Sequence, residues 1–315
     1  MELIEGKLPP EFPAMLQQLL YKPDRNRLET KALEAASEES GLSVPRLLLK
    51  AGALQSSHDL HLGRFLFEYF PEGTDFPPLS APILPDDLPR APSVAFSIDD
   101  VTTTEIDDAF SLTAREGGGW TIGIHIAAPG LGIRPGCPID AVARSRLSTV
   151  YMPGSKITML PDPVVHTYTL GVGEASPAIS LYVSGNSDYS LAGLASRIAS
   201  IHDAANQRHH DIEPVFNEET LLADLPDLPW MRELKVLWEF ATVLEAGRGK
   251  PSANQNQMDF NYYVDWAQET KDGPGAITIE QRKRGSPLDK LVAELMILAN
   301  SSWGKLLHEA GIPAI

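Results

Sequence analysis

The stretch that sets the fold class lies at residues 94–127 and reads VAFSIDDVTTTEIDDAFSLTAREGGGWTIGIHIA. Apolar residues alternate with small or polar ones from Val94 to Ile98, and again from Trp120 to Ile126. A period of two predicts β-strands that bury one face, and the glycine-rich residues 116–119 predict a hairpin turn. The stretch therefore predicts an antiparallel β-sheet.

An acidic loop joins the first two predicted strands. It contains the carboxylates of Asp99, Glu105, Asp107 and Asp108. Because Ile98 faces the core, Asp99 ends its strand on the opposite face, and we expect four or five carboxylates to share one small volume. A divalent cation would offset their repulsion, and hard oxygen ligands of this type suit Mg²⁺ or Mn²⁺. The residues alone leave two interpretations open: a metal site for phosphoryl chemistry, and a solvated acidic loop.

The region before the sheet is predicted to be helical. In residues 1–75 apolar residues recur at helical spacing and no strand pattern interrupts them. The segment SGLSVP at residues 40–45 is typical of a helix-turn-helix, with Gly41 at the end of one helix and Ser43 capping the next. Two interpretations stay open for it: a nucleic-acid-binding helix, and a helical bundle with an ordinary tight turn.

The remaining segments complete a two-domain organisation. The Pro-rich residues 76–93 predict an extended linker. Residues 94–315 predict a second domain, in which helices at about 231–246 and 286–310 follow the strands. The chain is therefore predicted to be α+β, with an all-helical, helix-turn-helix-like first domain.

Composition excludes several classes of protein. The chain has 315 residues, a formal net charge of −16 and a single cysteine, Cys137. So acidic a chain does not coat nucleic acid through bulk positive charge, and any nucleic-acid contact must be local. One cysteine cannot form an internal disulfide, and no stretch has the character of a signal peptide or a membrane helix. We therefore expect a cytoplasmic protein with no membrane segment.

Ordered motifs run through the second predicted domain. They are Ser97–Asp99, Glu105–Ala109, RLSTVYMPG at residues 146–154, ITMLP at residues 157–161, Met258–Phe260, and KLVAELMILAN at residues 290–300. In content and order these motifs resemble the catalytic domain of the ribonuclease II (RNB) exoribonuclease family. The resemblance spans about residues 94–315.

The resemblance implies an RNB-type catalytic domain of mainly antiparallel β-sheet with packed helices. It implies processive hydrolysis of single-stranded RNA from the 3′ end to nucleoside 5′-monophosphates, with Mg²⁺ or Mn²⁺ as the cofactor. It assigns Asp99, Glu105, Asp107 and Asp108 to catalysis and metal binding. Asp107 matches the aspartate most closely tied to the chemical step, and Glu105 stands in place of an aspartate.

The resemblance also implies RNA-binding side chains. Tyr151 matches an aromatic residue that packs on the 3′-terminal nucleotide, and Phe260 matches the residue that completes the stacking clamp. His210 stands where the family often has an RNA-contacting tyrosine. Stacking suits a processive enzyme, because every base has a π-face. The alternative for the two aromatic residues is burial in a core.

Departures from the family pattern keep other functions open. Ala293 replaces the first of two adjacent glutamates, and the resemblance implies that a catalytic arginine, the rest of the catalytic domain and a C-terminal oligonucleotide-binding barrel lie outside this chain. We expect a monomer that binds single-stranded RNA. One alternative is an RNB-like RNA-binding protein without turnover, suggested by Glu105 and Ala293. Another metal-dependent phosphohydrolase fits less well, because the His-Asp pairs at residues 202–203 and 210–211 lie too close in sequence.

Overall fold

The computed structural model describes residues 2–85, 87–223, 225–249 and 258–314. The chain forms two compact units that alternate along the sequence. The first comprises Met1–Pro77, Val150–Ile157 and Asn261–Glu280, and the second comprises Pro78–Thr149, Thr158–Phe260 and Gln281–Ile315. Within the described ranges, no helix combines the length and the apolar character needed to cross a bilayer.

Helices precede the strands and then alternate with them. The helices are α1 Leu16–Tyr21, α2 Leu28–Ser40, α3 Val44–Lys50, α4 Ser57–Tyr69, α5 Pro138–Arg146, α6 Asp162–Tyr168, α7 His209–Ile212, α8 Glu218–Leu222, α9 Met231–Arg248 and α10 Pro287–Glu309. The strands are β1 Arg90–Asp99, β2 Asp108–Ala114, β3 Trp120–Ala127, β4 Val150–Met152, β5 Ser155–Ile157, β6 Ala175–Gly185, β7 Leu191–Arg208, β8 Met258–Thr270 and β9 Gly273–Lys283. The predicted fold class, a helical region followed by a mainly antiparallel sheet with packed helices, is confirmed.

The N-terminal helices of the first unit pack around their own core. Gly41 follows α2 with a φ of 69°, a left-handed conformation that glycine adopts without strain. Leu47 and Leu48 of α3 are fully buried in the same cluster as Leu33 of α2. Ser43 stands at the N-cap position of α3, although its side chain makes no capping hydrogen bond. The turn between the two helices therefore depends on the glycine and on apolar packing.

Two later segments of the chain also belong to the first unit. Gly154 lies in the turn between β4 and β5 with a φ of 70°, and a Cβ atom there would lie 2.6 Å from the Cβ atom of Val264. The indole of Trp266, in β8, donates a hydrogen bond to the carbonyl oxygen of Gly154. The ring of His58, in α4, meets the Trp266 ring edge-on. These contacts join α4, the β4–β5 hairpin and β8, whereas the sequence placed the last two with residues 94–315.

The second unit is built on a closed barrel with the strand order β1-β2-β3-β6-β7. Antiparallel pairing sets Phe96 opposite Phe110, and Phe110 opposite Ile124. Only the pair that closes the barrel, β1 with β7, is parallel among these strands. The antiparallel prediction is correct for the other pairings, and the closure was not predicted because it joins strands that are distant in sequence.

Apolar side chains on the outer face of the barrel form the main core with α9 and α10. Buried members of this core include Phe96, Phe110, Ile122, Ile124 and Leu181 from the strands, and Leu234, Leu237, Leu291 and Leu295 from the helices. Helix α10 begins as predicted, because the Ser286 hydroxyl oxygen accepts a hydrogen bond from the backbone nitrogen of Asp289. This packing fixes which face of each strand points into the barrel.

The inward face of the barrel carries several buried polar side chains. Ser97, Ser111, His125, Ser180 and Asp203 are each no more than 1% exposed. Nδ1 of His125 lies 2.7 Å from the Ser180 hydroxyl oxygen, and Nε2 lies 2.9 Å from that of Ser111. Burial lowers the pKa of His125 to about 4, so the ring is neutral near pH 7. A neutral imidazole has one donor and one acceptor, and the two serines satisfy both.

The Pro-rich stretch at residues 76–93 is partly packed. Leu79 and Leu84 contact a cluster that contains the buried side chains of Val164 and Tyr168. Strand β1 begins at Arg90, before the predicted end of the linker. The apolar residues between the prolines supply contacts that proline content alone does not reveal.

Candidate active site

The four acidic residues predicted as a site lie at one end of the barrel. Asp99 is the last residue of β1, and Asp108 is the first residue of β2. Because these strands are antiparallel, the end of one adjoins the start of the other. Glu105 and Asp107 lie in the loop between them, and the backbone nitrogen of Ala127 donates a 2.8 Å hydrogen bond to the carbonyl oxygen of Asp107. The loop is thereby tied to the end of β3.

Asp108 has a strongly perturbed carboxyl group. Burial, together with the nearby charges of Asp99 and Asp107, raises its pKa to about 7. Within the described part of the chain, its Oδ2 atom is buried and has no hydrogen-bond partner. A buried polar atom without a partner is destabilising. A bound cation would both pair with this oxygen and favour the charged carboxylate.

Asp99 is held by side chains from β7. Burial raises its pKa, while a hydrogen bond from Asn206 and the charge of Arg208 act in the opposite direction. The side-chain nitrogen of Asn206 lies 2.9 Å from Oδ2 of Asp99. The Arg208 guanidinium donates to the carbonyl oxygens of Asp100 and Thr103, at 2.5 and 3.2 Å. Arg208 thus holds the acidic loop through its backbone.

Asn206 belongs to this site and was not singled out by the sequence. Its side-chain nitrogen also donates to the hydroxyl oxygen of Ser97 at 3.0 Å, and the Ser97 hydroxyl donates to Asp203 at 2.9 Å. Closure of the barrel sets Ser97 opposite Asn206. No local pattern marks this asparagine, since only the pairing of β1 with β7 brings it to the aspartates.

A second group of potential metal ligands is already neutralised by an arginine. In the described ranges, ligand atoms of His209, Glu213 and Asp289 lie within 4.8 Å of one another. The Arg282 guanidinium lies 2.8 Å from carboxylate oxygens of both Glu213 and Asp289. Burial would raise the pKa of Glu213, but hydrogen bonds from His209 and Arg282 outweigh it and lower the pKa to about 2. This group is therefore an ion-pair network between α7, β9 and α10.

The carboxylates at the barrel end are spaced more widely, but their oxygen atoms suit a divalent cation. Among the described residues, no three of them bring ligand atoms within 4.8 Å of one another. Their oxygen atoms are the hard ligands that Mg²⁺ and Mn²⁺ prefer. The unpartnered Oδ2 of Asp108 and the raised pKa of the same group are the conditions that a cation would relieve. Asp99, Asp107 and Asp108, with Glu105 in the same loop, are the residues that would hold it.

The residues predicted to bind RNA are exposed. Tyr151, in β4 of the first unit, is 70% exposed, and Phe260, in β8, is 48% exposed. Neither ring lies in a core, so the alternative of core aromatic residues is wrong. His210 lies in α7, with its Nε2 atom 3.0 Å from a carboxylate oxygen of Asp211. Their RNA-binding roles stay predictions.

The glutamate that follows Ala293 is an interior residue. Glu294, in α10, is 2% exposed. Its carboxylate accepts a hydrogen bond from the guanidinium of Arg248, the last residue of α9. The remaining carboxylate of this motif therefore links the two long helices.

The fold and the site define an α+β protein whose closed barrel carries a partly buried carboxylate cluster at one end. A family model described as the RNB domain matches residues 90–315. The chain belongs to the RNB family, as the motifs of the sequence indicated.

Curated relatives are longer than this chain. Exoribonuclease 2 from Sodalis glossinidius is 34% identical over 222 residues, which are 68% of this chain and 32% of that protein. Ribonuclease R from Escherichia coli is 26% identical over 226 residues, which are 70% of this chain and 26% of that protein. The chain spans about a third or less of the length of these relatives.

Solved structures share the fold. An active site mutant of the Dss1 exoribonuclease from Candida glabrata matches with a TM-score of 0.73 and 18% identity, over 96% of this chain and 43% of that one. RNase R from Mycoplasma genitalium, in complex with ribose methylated single-stranded RNA, matches with a TM-score of 0.59 and 15% identity, over 72% and 34%. Yeast Ssd1, described as a pseudonuclease, matches with a TM-score of 0.51 and 18% identity, over 62% and 25%.

Proposed function

We propose that the protein is an exoribonuclease that uses Mg²⁺ or Mn²⁺ to hydrolyse single-stranded RNA processively from the 3′ end, releasing nucleoside 5′-monophosphates. The observation that carries the proposal is the buried, unpartnered Oδ2 of Asp108 beside the charges of Asp99 and Asp107. Membership of the RNB family supports the class of reaction, because relatives bear the names exoribonuclease 2 and ribonuclease R.

The carboxylates have different roles in the site. Asp99 and Asp108 hold the cation from two adjacent strand ends, with Glu105 beside them in the loop. When bound, the cation supplies positive charge that stabilises the charge developing on the scissile phosphate and lowers the pKa of the attacking water. Asp107 orients that water and accepts its proton. The hydrogen bond from the Ala127 nitrogen to the Asp107 carbonyl oxygen holds the loop backbone at Asp107 against the end of β3.

RNA is held by stacking and by local contacts. Tyr151 and Phe260 each offer an exposed ring on which a base near the 3′ end stacks, and His210 offers an imidazole. Such contacts require no particular base, which suits an enzyme that advances along any sequence. The net charge of −16 gives phosphate no long-range attraction, so these local contacts carry the affinity. The complex of Mycoplasma genitalium RNase R with single-stranded RNA supports this substrate class.

A second candidate is an RNA-binding protein of the same fold without turnover. Glu105 in place of an aspartate and Ala293 in place of a glutamate favour it, and yeast Ssd1 carries the description of a pseudonuclease. Retention of Asp99, Asp107 and Asp108 favours the enzyme, because mutually repelling carboxylates are destabilising without a cation.

One experiment separates the two candidates. The full-length protein is incubated with single-stranded RNA that is labelled uniformly in one sample and at the 5′ end in another, and with a uniformly labelled circular RNA of the same sequence, in Mg²⁺ or in EDTA. The enzyme is expected to release nucleoside 5′-monophosphates from the linear RNA only when Mg²⁺ is present, with few intermediates, and to leave the circle intact. Binding of the linear RNA without release of mononucleotides, in Mg²⁺ and in Mn²⁺, would establish the second candidate.

A further inference from the structure

Neighbouring carboxylates accept the one hydrogen of the Ser97 hydroxyl. Asp203 is fully buried, and its Oδ1 atom accepts a hydrogen bond from the backbone nitrogen of Ala205. Its Oδ2 atom lies 2.9 Å from the Ser97 hydroxyl oxygen. The Ser97 hydroxyl also lowers the pKa of Asp99 through a hydrogen bond. Because a carboxylate only accepts, the one hydrogen of the Ser97 hydroxyl is used by these two carboxylates. Toward its other neighbour, Asn206, the hydroxyl oxygen can only accept.

The hydrogen bonds of Asn206 fix the orientation of its side-chain amide. Its nitrogen donates both hydrogens, one to Ser97 at 3.0 Å and one to Oδ2 of Asp99 at 2.9 Å. A flipped amide would set its carbonyl oxygen against a carboxylate and against a hydroxyl oxygen that has no hydrogen to give. The carbonyl oxygen must therefore turn away from both partners. In the described residues it is buried and has no hydrogen-bond partner.

Two unpartnered oxygens thus belong to the acidic end of the barrel. They are Oδ2 of Asp108 and Oδ1 of Asn206. The two residues come from β2 and β7, which flank β1 with Asp99 at its end. Amide carbonyl oxygens are hard ligands of the same kind as carboxylates. An amide also adds an oxygen without adding negative charge to carboxylates that already repel one another.

We propose that Asn206 is a further ligand of the divalent cation, with its nitrogen holding Asp99 and its carbonyl oxygen joining the carboxylates. Asp203 is a positioning residue, which sets the direction of the Asn206 amide through Ser97. This assignment rests on the proposed function, because it needs a divalent cation at the carboxylates.

The test measures binding of Mn²⁺ to the full chain without RNA, by electron paramagnetic resonance of the free ion. Asn206→Ala is expected to weaken Mn²⁺ affinity at least about 10-fold, because it removes both the oxygen ligand and the hydrogen bond that holds Asp99. Asn206→Asp, which keeps an oxygen for the cation but loses the hydrogen bond to Asp99, is expected to weaken the affinity less. Ser97→Ala is expected to weaken it in the same direction but less, because Asn206 stays in place and only its orientation is freed. The control is Ser180→Ala, which removes an equally buried serine that bonds His125, and it should leave the affinity unchanged.

Each result bears on the proposal. Asp108→Asn serves as the reference for loss of the cation site. If Asp108→Asn loses Mn²⁺ while Asn206→Ala binds it like wild type, the cation site stands and the assignment of Asn206 is overturned. If the wild type binds no Mn²⁺, the cation-dependent function fails, and the assignment fails with it. Circular dichroism checks the fold of each variant. If Asn206→Asp binds Mn²⁺ as weakly as Asn206→Ala or, where Asn206→Ala does not fold, far more weakly than wild type, Asn206 only positions Asp99 and its assignment as a ligand is overturned. Unchanged affinity in Ser97→Ala overturns the role of Asp203.

Discussion

The indole nitrogen of Trp266 donates a hydrogen bond to the carbonyl oxygen of Gly154 across 2.9 Å. This bond anchors the turn of the β4–β5 hairpin, which carries Tyr151, to β8 within the first compact unit. At Gly154, φ is 70° and the space that a side chain would need is filled by Val264 and Trp266. The turn therefore requires glycine for two separate reasons.

Gly154→Ala is expected to lower the free energy of unfolding by about 1–3 kcal/mol more than Gly41→Ala. Both glycines have φ near 70°, so both substitutions place a side chain on a left-handed backbone. A Cβ atom meets nothing within 4 Å at Gly41 but would lie 2.6 Å from the Cβ atom of Val264 at Gly154. Urea denaturation of the two variants measures the difference. Equal losses would show that the hairpin turn is not crowded.

Tyr151→Ala is expected to leave a longer limit product and to slow the last cleavages. Truncation of a stacking ring removes about 1–3 kcal/mol of binding, and short oligonucleotides have few other contacts to compensate. Tyr69→Ala, which removes another exposed tyrosine from α4, is the control and should leave the products unchanged. Denaturing gels of 5′-labelled RNA show the ladders. Identical ladders for wild type and Tyr151→Ala would count against stacking.

Asp107→Asn is expected to lower turnover by about 10²- to 10⁴-fold, because the amide cannot accept a proton from the attacking water. RNA binding should survive, since stacking carries the affinity and Asp99 and Asp108 still hold the cation. Single-turnover hydrolysis and fluorescence anisotropy, both in Mg²⁺, measure the two quantities on full-length protein. Turnover close to wild type would remove Asp107 from the chemical step. Loss of binding as well would show that Asp107 instead maintains the structure of the site.

The wild-type protein is expected to lose stability as the pH falls because of His125, and His125→Gln is expected to abolish this part of the loss. In the unfolded chain His125 takes up a proton below pH 6.5, whereas in the folded state its pKa is lowered to about 4. Between these values the unfolded state binds more protons, so the free energy of unfolding falls as the pH falls. The difference between the two pKa values corresponds to roughly 3 kcal/mol by the end of that range.

The measurement is the difference between wild type and His125→Gln in urea denaturation from pH 7 to pH 4. Burial raises the pKa of Asp108 to about 7 and that of Asp203 to about 6, which makes both carboxyl groups act in the opposite direction over this range. Because wild type and His125→Gln both contain these carboxyl groups, the contribution of the carboxyl groups cancels in the difference between their free energies of unfolding. A difference that does not change with pH would contradict the buried neutral imidazole.

Sequence reasoning succeeded where the signal is local. Gly41 ends α2, and α10 begins at the predicted position, because the residues that decide a helix end lie within one turn of it. The acidic loop was recognised for the same reason, since Asp99 and Asp108 are separated by a single connection. Asp99 and Asp108 lie close together because β1 and β2 pair antiparallel, which brings the end of β1 next to the start of β2.

The rest of the site depends on contacts between distant parts of the chain. Asn206 reaches Asp99 only because β7 closes the barrel against β1. The polar barrel interior of Ser97, Ser111, His125 and Ser180 reads in the sequence as the exposed face of a sheet, and only closure makes it buried. The pKa shift of His125 follows from that closure and has no local signal.

The alternation of the two compact units along the chain has an evolutionary consequence. The polypeptide passes from one unit to the other at residues 77/78, 149/150, 157/158, 260/261 and 280/281. A single recombination event can append or delete a terminal stretch of a gene, but it cannot transplant the first unit, which is encoded in three separated pieces. Of these pieces, residues 1–77 form the largest single block. A segment that replaced this block would have to pack against Trp266, as His58 does now, and against Gly273, as Ser56 does now. The two units are therefore expected to be inherited together. Substitutions in the two-stranded sheet of β8 and β9 are expected to be accompanied by substitutions in α4.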